Sequence, residues 1–233
     1  MQKAEFEARI FISLGIVAIV CALSYSIFAH TPSIIVYLGN TMGIPADDAL
    51  TAGYIFIALI MASVSLLRMW AGTLLTAQRV MAFSVQVDSL RTAGPYLVVR
   101  NPIYLADFIA ICAFTVCLPV IGLLMPVLFC IHYVRLIRYE EASLEVRYRD
   151  QYDDYAACVP RLIPSFRSLT NLGKALNDVR ITKEGVRHNA LFVLFVPGFI
   201  LAAITHQFVD AVVVGLPGLI DWAIVHTKLG IKK

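Results

Sequence analysis

The chain has 233 residues, of which 59% are hydrophobic and only 15% charged, with a mean hydropathy of +0.78. A soluble domain of this size does not need so much apolar surface, so the composition argues against a water-soluble globular protein and for helices in a bilayer. The net charge of +3 comes without a basic groove of interleaved aromatics, which argues against a nucleic-acid partner.

Residues 10–29 and 50–67 are apolar runs long enough to cross a hydrocarbon layer, for which about 20 residues are needed. The first run exceeds a signal peptide's apolar core and no small-residue cleavage site follows it, so a retained helix is expected. Residues 103–137 are apolar for too long to form one span. Pro119 and Pro126 sit where a hairpin could turn, which divides the stretch into a third and a fourth helix. Residues 190–204 and 209–225 form a last pair, interrupted by Pro197-Gly198 and Pro217-Gly218. Such breaks read as kinks packed on neighbouring helices, since lipid cannot satisfy a freed backbone group. The expected fold is an all-α integral membrane protein of about six transmembrane helices. Four segments follow: 1–92 (helices 1 and 2 with a cytoplasmic loop), 93–168 (the polar core), 169–187 and 188–233 (the C-terminal hairpin).

Charge supports that count, because short cytoplasmic loops collect Lys and Arg. With six spans all 19 basic residues fall on one side: Lys3 and Arg9, then Arg68, Arg79, Arg91 and Arg100, the series from Arg135 to Arg187, and finally Lys228, Lys232 and Lys233. The opposite loops carry Asp47, Asp48 and Asp210. Both termini are therefore expected in the cytoplasm. The five cysteines are odd in number and four lie in apolar runs, so they read as packing residues. The five histidines show no metal-ligand spacing with Cys or carboxylates, and no metal site is expected.

Polar residues gather in 93–168. Gly94-Pro95 is a turn signal, and Asn101-Pro102 opens a helix with Pro at its first position. Arg100 precedes that helix start, where positive charge opposes the dipole and calls for an anionic partner. Tyr104 and Asp107 share a face with Asn101 and Ile111. A carboxylate in an apolar helix is a functional candidate, or else the partner of an arginine or a hydrated interfacial group, and both readings stay open. The fourth helix has no stop signal before Pro160 and is expected to run into the cytoplasm. That places Glu141, Glu145, Tyr148, Tyr152 and Tyr155 in one stripe, with Arg135 and Arg138 just ahead of the Glu140-Glu141 pair. This is either a solvated face or a place where a polar cofactor meets a lipid-dissolved substrate. Leu169, Leu172, Leu176 and Val179 recur at helical spacing among Lys174, Arg180 and Lys183, which predicts an amphipathic helix over 169–187 in the headgroup region.

"GPYLVVRNPIY", "EEASL", "YDDY" and "VPRLIP" resemble, in order and spacing, the membrane methyltransferases that include isoprenylcysteine carboxyl methyltransferase and the phospholipid N-methyltransferases. The match covers residues 94–164, about a third of the chain. The resemblance implies S-adenosylmethionine as cofactor, held in a cofactor pocket on the cytoplasmic face without a soluble nucleotide-binding domain, and a lipid or prenylated acceptor from the bilayer. It implies Gly94, Pro95, Tyr96, Arg100, Asn101 and Tyr104 on one side of the cofactor, and Glu140, Glu141, Tyr152, Tyr155 and Arg161 on the other. Arg138, Asp107 and Glu141 are the candidate catalytic residues, with Asp107 the one acid placed to serve an amine acceptor as base and Asp221 a second choice. Asn101 is a departure, because the prenylcysteine enzymes usually carry His there, and this weakens that substrate assignment. Membrane sterol reductases, which use a reduced nicotinamide cofactor, look similar in their C-terminal halves and form the alternative.

Overall fold

The first apolar run forms α2 (Arg9–Ser26), preceded by the short α1 (Lys3–Glu7). The computed structural model describes residues 3–28, 30–75, 90, 92–177 and 179–231. Among these, every regular element is helical. The expected loop after α2 contains a further helix, α3 (Ile34–Thr41), whose N-cap Ser33 accepts a hydrogen bond from the Val36 amide. Its first amides, on Ile34 and Ile35, donate to the carbonyls of Leu118 and Val116. Helix-start donors that water would otherwise satisfy are thus used to tie α3 to the distant hairpin turn.

The second run forms α4 (Ala46–Leu74), 29 residues long, with Asp47 and Asp48 in its first turn where the dipole favours them. It extends past Arg68, which the charge map assigns to a cytoplasmic loop. Arg68 is instead buried inside the helix, a change made possible by the Asp107 carboxylate that pairs with it. Arg79, Arg91, Lys232 and Lys233 of the same map lie outside the described residues.

The hairpin read from Pro119 and Pro126 consists of α5 (Pro102–Thr115), a 3-10 turn at Val120–Leu123, and α6 (Leu124–Tyr148). Pro119 caps the turn, and Pro126 sits in the first turn of α6, where its missing amide donor leaves no intrahelical bond unmade. Helix α5 buries Ala106, Ala110 and Ala113, a small-residue stripe that lets it approach α4 closely. Successive contacts run from α2 to α6, α5 and α4. They continue from α4 to α11 (Phe195–Thr205) and from α11 to α12 (Phe208–Ile231). One core, with Tyr54, Ile57, Met61, Phe195 and Phe199, fills the space around α4. A second, with Phe6, Val20, Met125, Phe129 and Leu136, joins α2 to α6.

Among the described residues, three stretches are long and apolar enough to cross a membrane: α2, α4 and the continuous run Val120–Tyr148. The apolar helices α5 and α11 are shorter, at 14 and 11 residues.

Three sequence expectations change. Helix α6 does not continue to Pro160: it ends at Tyr148, and Arg149, at φ 41°, closes it and opens α7 (Asp150–Cys158). The amide of Arg149 donates to Glu145, while its carbonyl accepts from Tyr152 and Asp153. The ladder therefore stops and restarts around one residue, and Tyr152 and Tyr155 leave the Glu141–Glu145 face. Residues 169–187 do not form one helix. They divide among the end of α8 (Phe166–Leu169), α9 (Leu172–Asn177), a non-helical stretch and α10 (Lys183–Asn189). Ser165, accepting a bond from the Ser168 amide, starts α8 just ahead of the hydrophobic period, and Thr182, accepting from the Gly185 amide, starts a new helix where that period alone reads as continuous. Finally, Pro197 lies in the first turn of α11 and so does not interrupt it, whereas Pro217 does lie inside α12.

Candidate cofactor site

The 3-10 turn Gly94–Leu97 starts from Gly94 at φ 55°. A side chain there would be strained by the backbone, and its Cβ would meet Leu74 at 2.7 Å and the Trp70 indole at 3.1 Å. Glycine is thus required twice over, by the turn and by its closeness to the end of α4. Pro95 and Tyr96 are buried, and the Tyr96 carbonyl accepts a 2.7 Å hydrogen bond from the Tyr155 hydroxyl. The backbone amide of Arg100 donates to the Pro160 carbonyl at 2.9 Å. These two bonds fasten the segment beyond α7 onto the entry to α5.

Glu141 is the hub. It is 6% exposed, on the α6 side of the junction. Its Oε1 accepts from Arg100 Nε at 3.1 Å and from Asn101 Nδ2 at 3.0 Å, and its Oε2 accepts from Arg161 Nε at 2.7 Å. Asn101 stands at the N-cap of α5, yet its side chain makes no capping bond. The amide instead bridges Glu141 to the Arg161 carbonyl, also at 3.0 Å. One carboxylate therefore joins three segments distant in sequence. Burying it among two guanidinium groups and an amide satisfies it by charge-assisted bonds, and the two cations around one anion leave the cluster with an excess of positive charge.

Glu140 belongs to a separate contact, accepting a 2.8 Å bond from the Tyr104 hydroxyl. Tyr104 in turn packs on Tyr133, with ring centroids 5.2 Å apart. Tyr152 is buried, and the Arg100 guanidinium lies 5.8 Å from its ring centroid. Burial, and then the nearby Glu141 carboxylate, pushes the Tyr152 phenol above its ordinary range, and burial does the same to Tyr155. Both stay protonated at neutral pH. The Tyr155 proton is donated to the Tyr96 carbonyl, whereas the buried Tyr152 hydroxyl, close to the Glu141 carboxylate, completes no hydrogen bond of ordinary length among the described residues.

Asp107 points elsewhere. It forms a short ion pair with Arg68 of α4, and the Arg68 guanidinium also lies 6.0 Å from the ring centroid of Phe192. Gly72, one turn beyond Arg68, lets Asn189 of α10 lie against α4; a Cβ at Gly72 would fall 1.9 Å from the Asn189 amide nitrogen. Arg68 Nε and Asn189 Oδ1 are buried without partners among the described residues. Arg138 is exposed on α6, as are Glu145 of the expected stripe and Asp221 of α12. The structure thus brings Arg100, Asn101, Glu141 and Arg161 together, sets Tyr96, Tyr152 and Tyr155 beside them and pairs Tyr104 with Glu140. It leaves Arg138 on the surface and gives Asp107 to Arg68. Arg68 is the residue the sequence reading misses. Its signal is the apolar Met69-Trp70-Ala71 that follows it and lets the helix continue past the charge.

No cluster of His, Cys, Asp or Glu able to hold a metal is present among the described residues. Compared with models of protein families, with curated proteins and with solved structures, the chain matches none of them.

Proposed function

We propose that the protein is an S-adenosylmethionine-dependent membrane methyltransferase of the isoprenylcysteine carboxyl methyltransferase-like type, acting on a lipid or prenylated acceptor. The observation that carries this reading is the Glu141 junction, in which the R-N-P start of α5, the Glu pair and the P-R segment meet at one carboxylate. Three features suit the cofactor. The surplus positive charge of Arg100 and Arg161 fits its carboxylate, and the buried Tyr152 hydroxyl fits a ribose oxygen. Glu140, which accepts from the Tyr104 hydroxyl and from no other donor among the described residues, suits the ammonium. When bound, the cofactor supplies an electrophilic methyl group on a sulfonium, whose loss to an acceptor oxygen or nitrogen leaves a neutral thioether.

The roles of the chain's own residues follow. Glu141 is saturated by internal donors, so it orients the two guanidinium groups and does not itself bind the ammonium. Tyr152 and Tyr155 act as neutral donors. Asp107 has its carboxylate engaged by Arg68 and stands apart from the Glu141 junction, which favours an acceptor that is already anionic and needs only alignment and exclusion of water. The arrangement of spans that fits this reading is six, with both termini cytoplasmic, so that cofactor enters from the cytoplasm and acceptor from the bilayer. Reporter fusions at Asp48 and Asp210 should appear on the far side of the membrane; cytoplasmic signals there would overturn that topology.

The decisive test is calorimetry of the purified protein with S-adenosylmethionine, followed by incubation of membranes with the methyl-labelled cofactor and separation of lipid from protein products. Micromolar binding and a labelled lipid-soluble product are expected. Tight binding of a reduced nicotinamide nucleotide in its place would make the chain a reductase.

A further inference from the structure

Between α2 and α6 lies a cavity of about 210 Å3 that shares no residue with the Glu141 junction. Its walls grade from charged to apolar. Arg135, Ile131 and Leu128 follow one another down α6 at spacings of four and three, and Ile12 and Ile16, four apart, face them from α2. Glu5 and the buried His132 complete the charged end. There Arg135 donates to both oxygens of Glu5, at 2.7 and 2.8 Å. Both side chains remain accessible, at 54% and 41% exposure. Seven residues of helix separate Arg135 from Leu128, a descent of about 10 Å, and along it Ile131 and Leu128 are exposed.

A cation and an anion side by side at the mouth of an apolar slot match one class of membrane molecule. We propose that the groove binds a phospholipid with a zwitterionic headgroup: its phosphate on Arg135, its ammonium on Glu5, and an acyl chain along Ile131, Leu128, Ile12 and Ile16. An anionic lipid would satisfy Arg135 but set like charge against Glu5, and a bare hydrocarbon would use neither. The assignment rests on the chain lying in a bilayer and not on methyl transfer.

The test places the full-length protein in bicelles carrying a diazirine-tagged phosphatidylethanolamine or, in parallel, the equally tagged phosphatidylglycerol, and maps photolabel on the α2 and α6 peptides. Phosphatidylethanolamine should label these peptides roughly three- to tenfold more. Glu5→Gln should bring the two lipids to within about twofold of each other by removing the ammonium's partner. Arg135→Gln should weaken both, and Ile131→Trp, which fills the slot, should suppress both while leaving calorimetric binding of S-adenosylmethionine unchanged. Equal labelling of wild type by the two lipids, or labelling that survives Ile131→Trp, would overturn the proposal.

Discussion

Two carboxylates of this protein, the buried Glu141 and the half-buried Asp107, are treated in opposite ways. Glu141 lies where three segments converge and is shared among Arg100, Asn101 and Arg161, so its negative charge holds a junction together and leaves a positive surplus around it. Asp107 lies within the helix row and is matched one-to-one by Arg68, which is itself buried. The first arrangement sets up an environment for something to bind; the second cancels charge so that α4 and α5 can pack where hydration is scarce. A carboxylate in an apolar helix is therefore not a site by virtue of its position. What distinguishes the two is the charge balance: one cation meets Asp107, whereas two meet Glu141.

Breaking the closed pair should have the largest effect. Arg68→Met leaves the half-buried Asp107 without its cation and is expected to lower stability by about 3–5 kcal/mol, with most of that loss restored in Arg68→Met/Asp107→Leu, because an apolar pair removes both charges together. Unfolding in detergent micelles checks this, and a double variant as weak as the single would show that the pair is not a matched one. Glu141→Ala should weaken S-adenosylmethionine binding tenfold to a hundredfold in calorimetry, since the guanidinium groups lose their common anchor; that corresponds to about 1.5–3 kcal/mol. Affinity equal to the wild type would remove Glu141 from the site.

A finer contrast lies between two tyrosines on α7. Tyr155→Phe deletes a neutral hydrogen bond to the Tyr96 carbonyl and should lower stability by about 1 kcal/mol. Tyr152→Phe removes a hydroxyl that completes no hydrogen bond of ordinary length among the described residues, so stability should change by less than about 0.5 kcal/mol, while cofactor affinity falls several-fold. The reverse pattern would place the ligand contact on Tyr155. The smallest effect is expected at Arg138, exposed on α6 and with no hydrogen bond or ion pair described for it: Arg138→Ala should leave both unfolding and methyl transfer within about twofold. A large loss of turnover would return it to the catalytic group.

Much of the junction is readable in the sequence because its parts are local signals. Gly94-Pro95 and Asn101-Pro102 announce a turn and a helix start through backbone chemistry that the rest of the chain does not alter. The features that escape the sequence depend on distant partners. Arg68 reads as the end of a span until Asp107, 39 residues away, is known to meet it. Asn101 reads as a cap, but Glu141 and the Arg161 carbonyl take its amide instead. The stop at Tyr148 carries neither Gly nor Pro, since the residue that breaks the helix is Arg149 in a left-handed conformation that few side chains adopt. The apolar repeat over 169–187 matches a single helix, yet the chain leaves the helix at Thr170-Asn171 and restarts again at the Thr182 cap.

That break at Arg149 also bears on how the protein comes apart. A helix running unbroken to Pro160 would have shared its hydrogen-bond ladder with the membrane portion and would have opened only when that portion did. As built, the nine-residue α7 begins its own ladder at the Arg149 carbonyl, and the Tyr155 to Tyr96 and Arg100 to Pro160 bonds moor it and the segment that follows to the α5 entry. It is therefore a separate cooperative unit, whose amides should exchange with solvent deuterium well before those of α6 and should gain protection when a ligand bridges the junction.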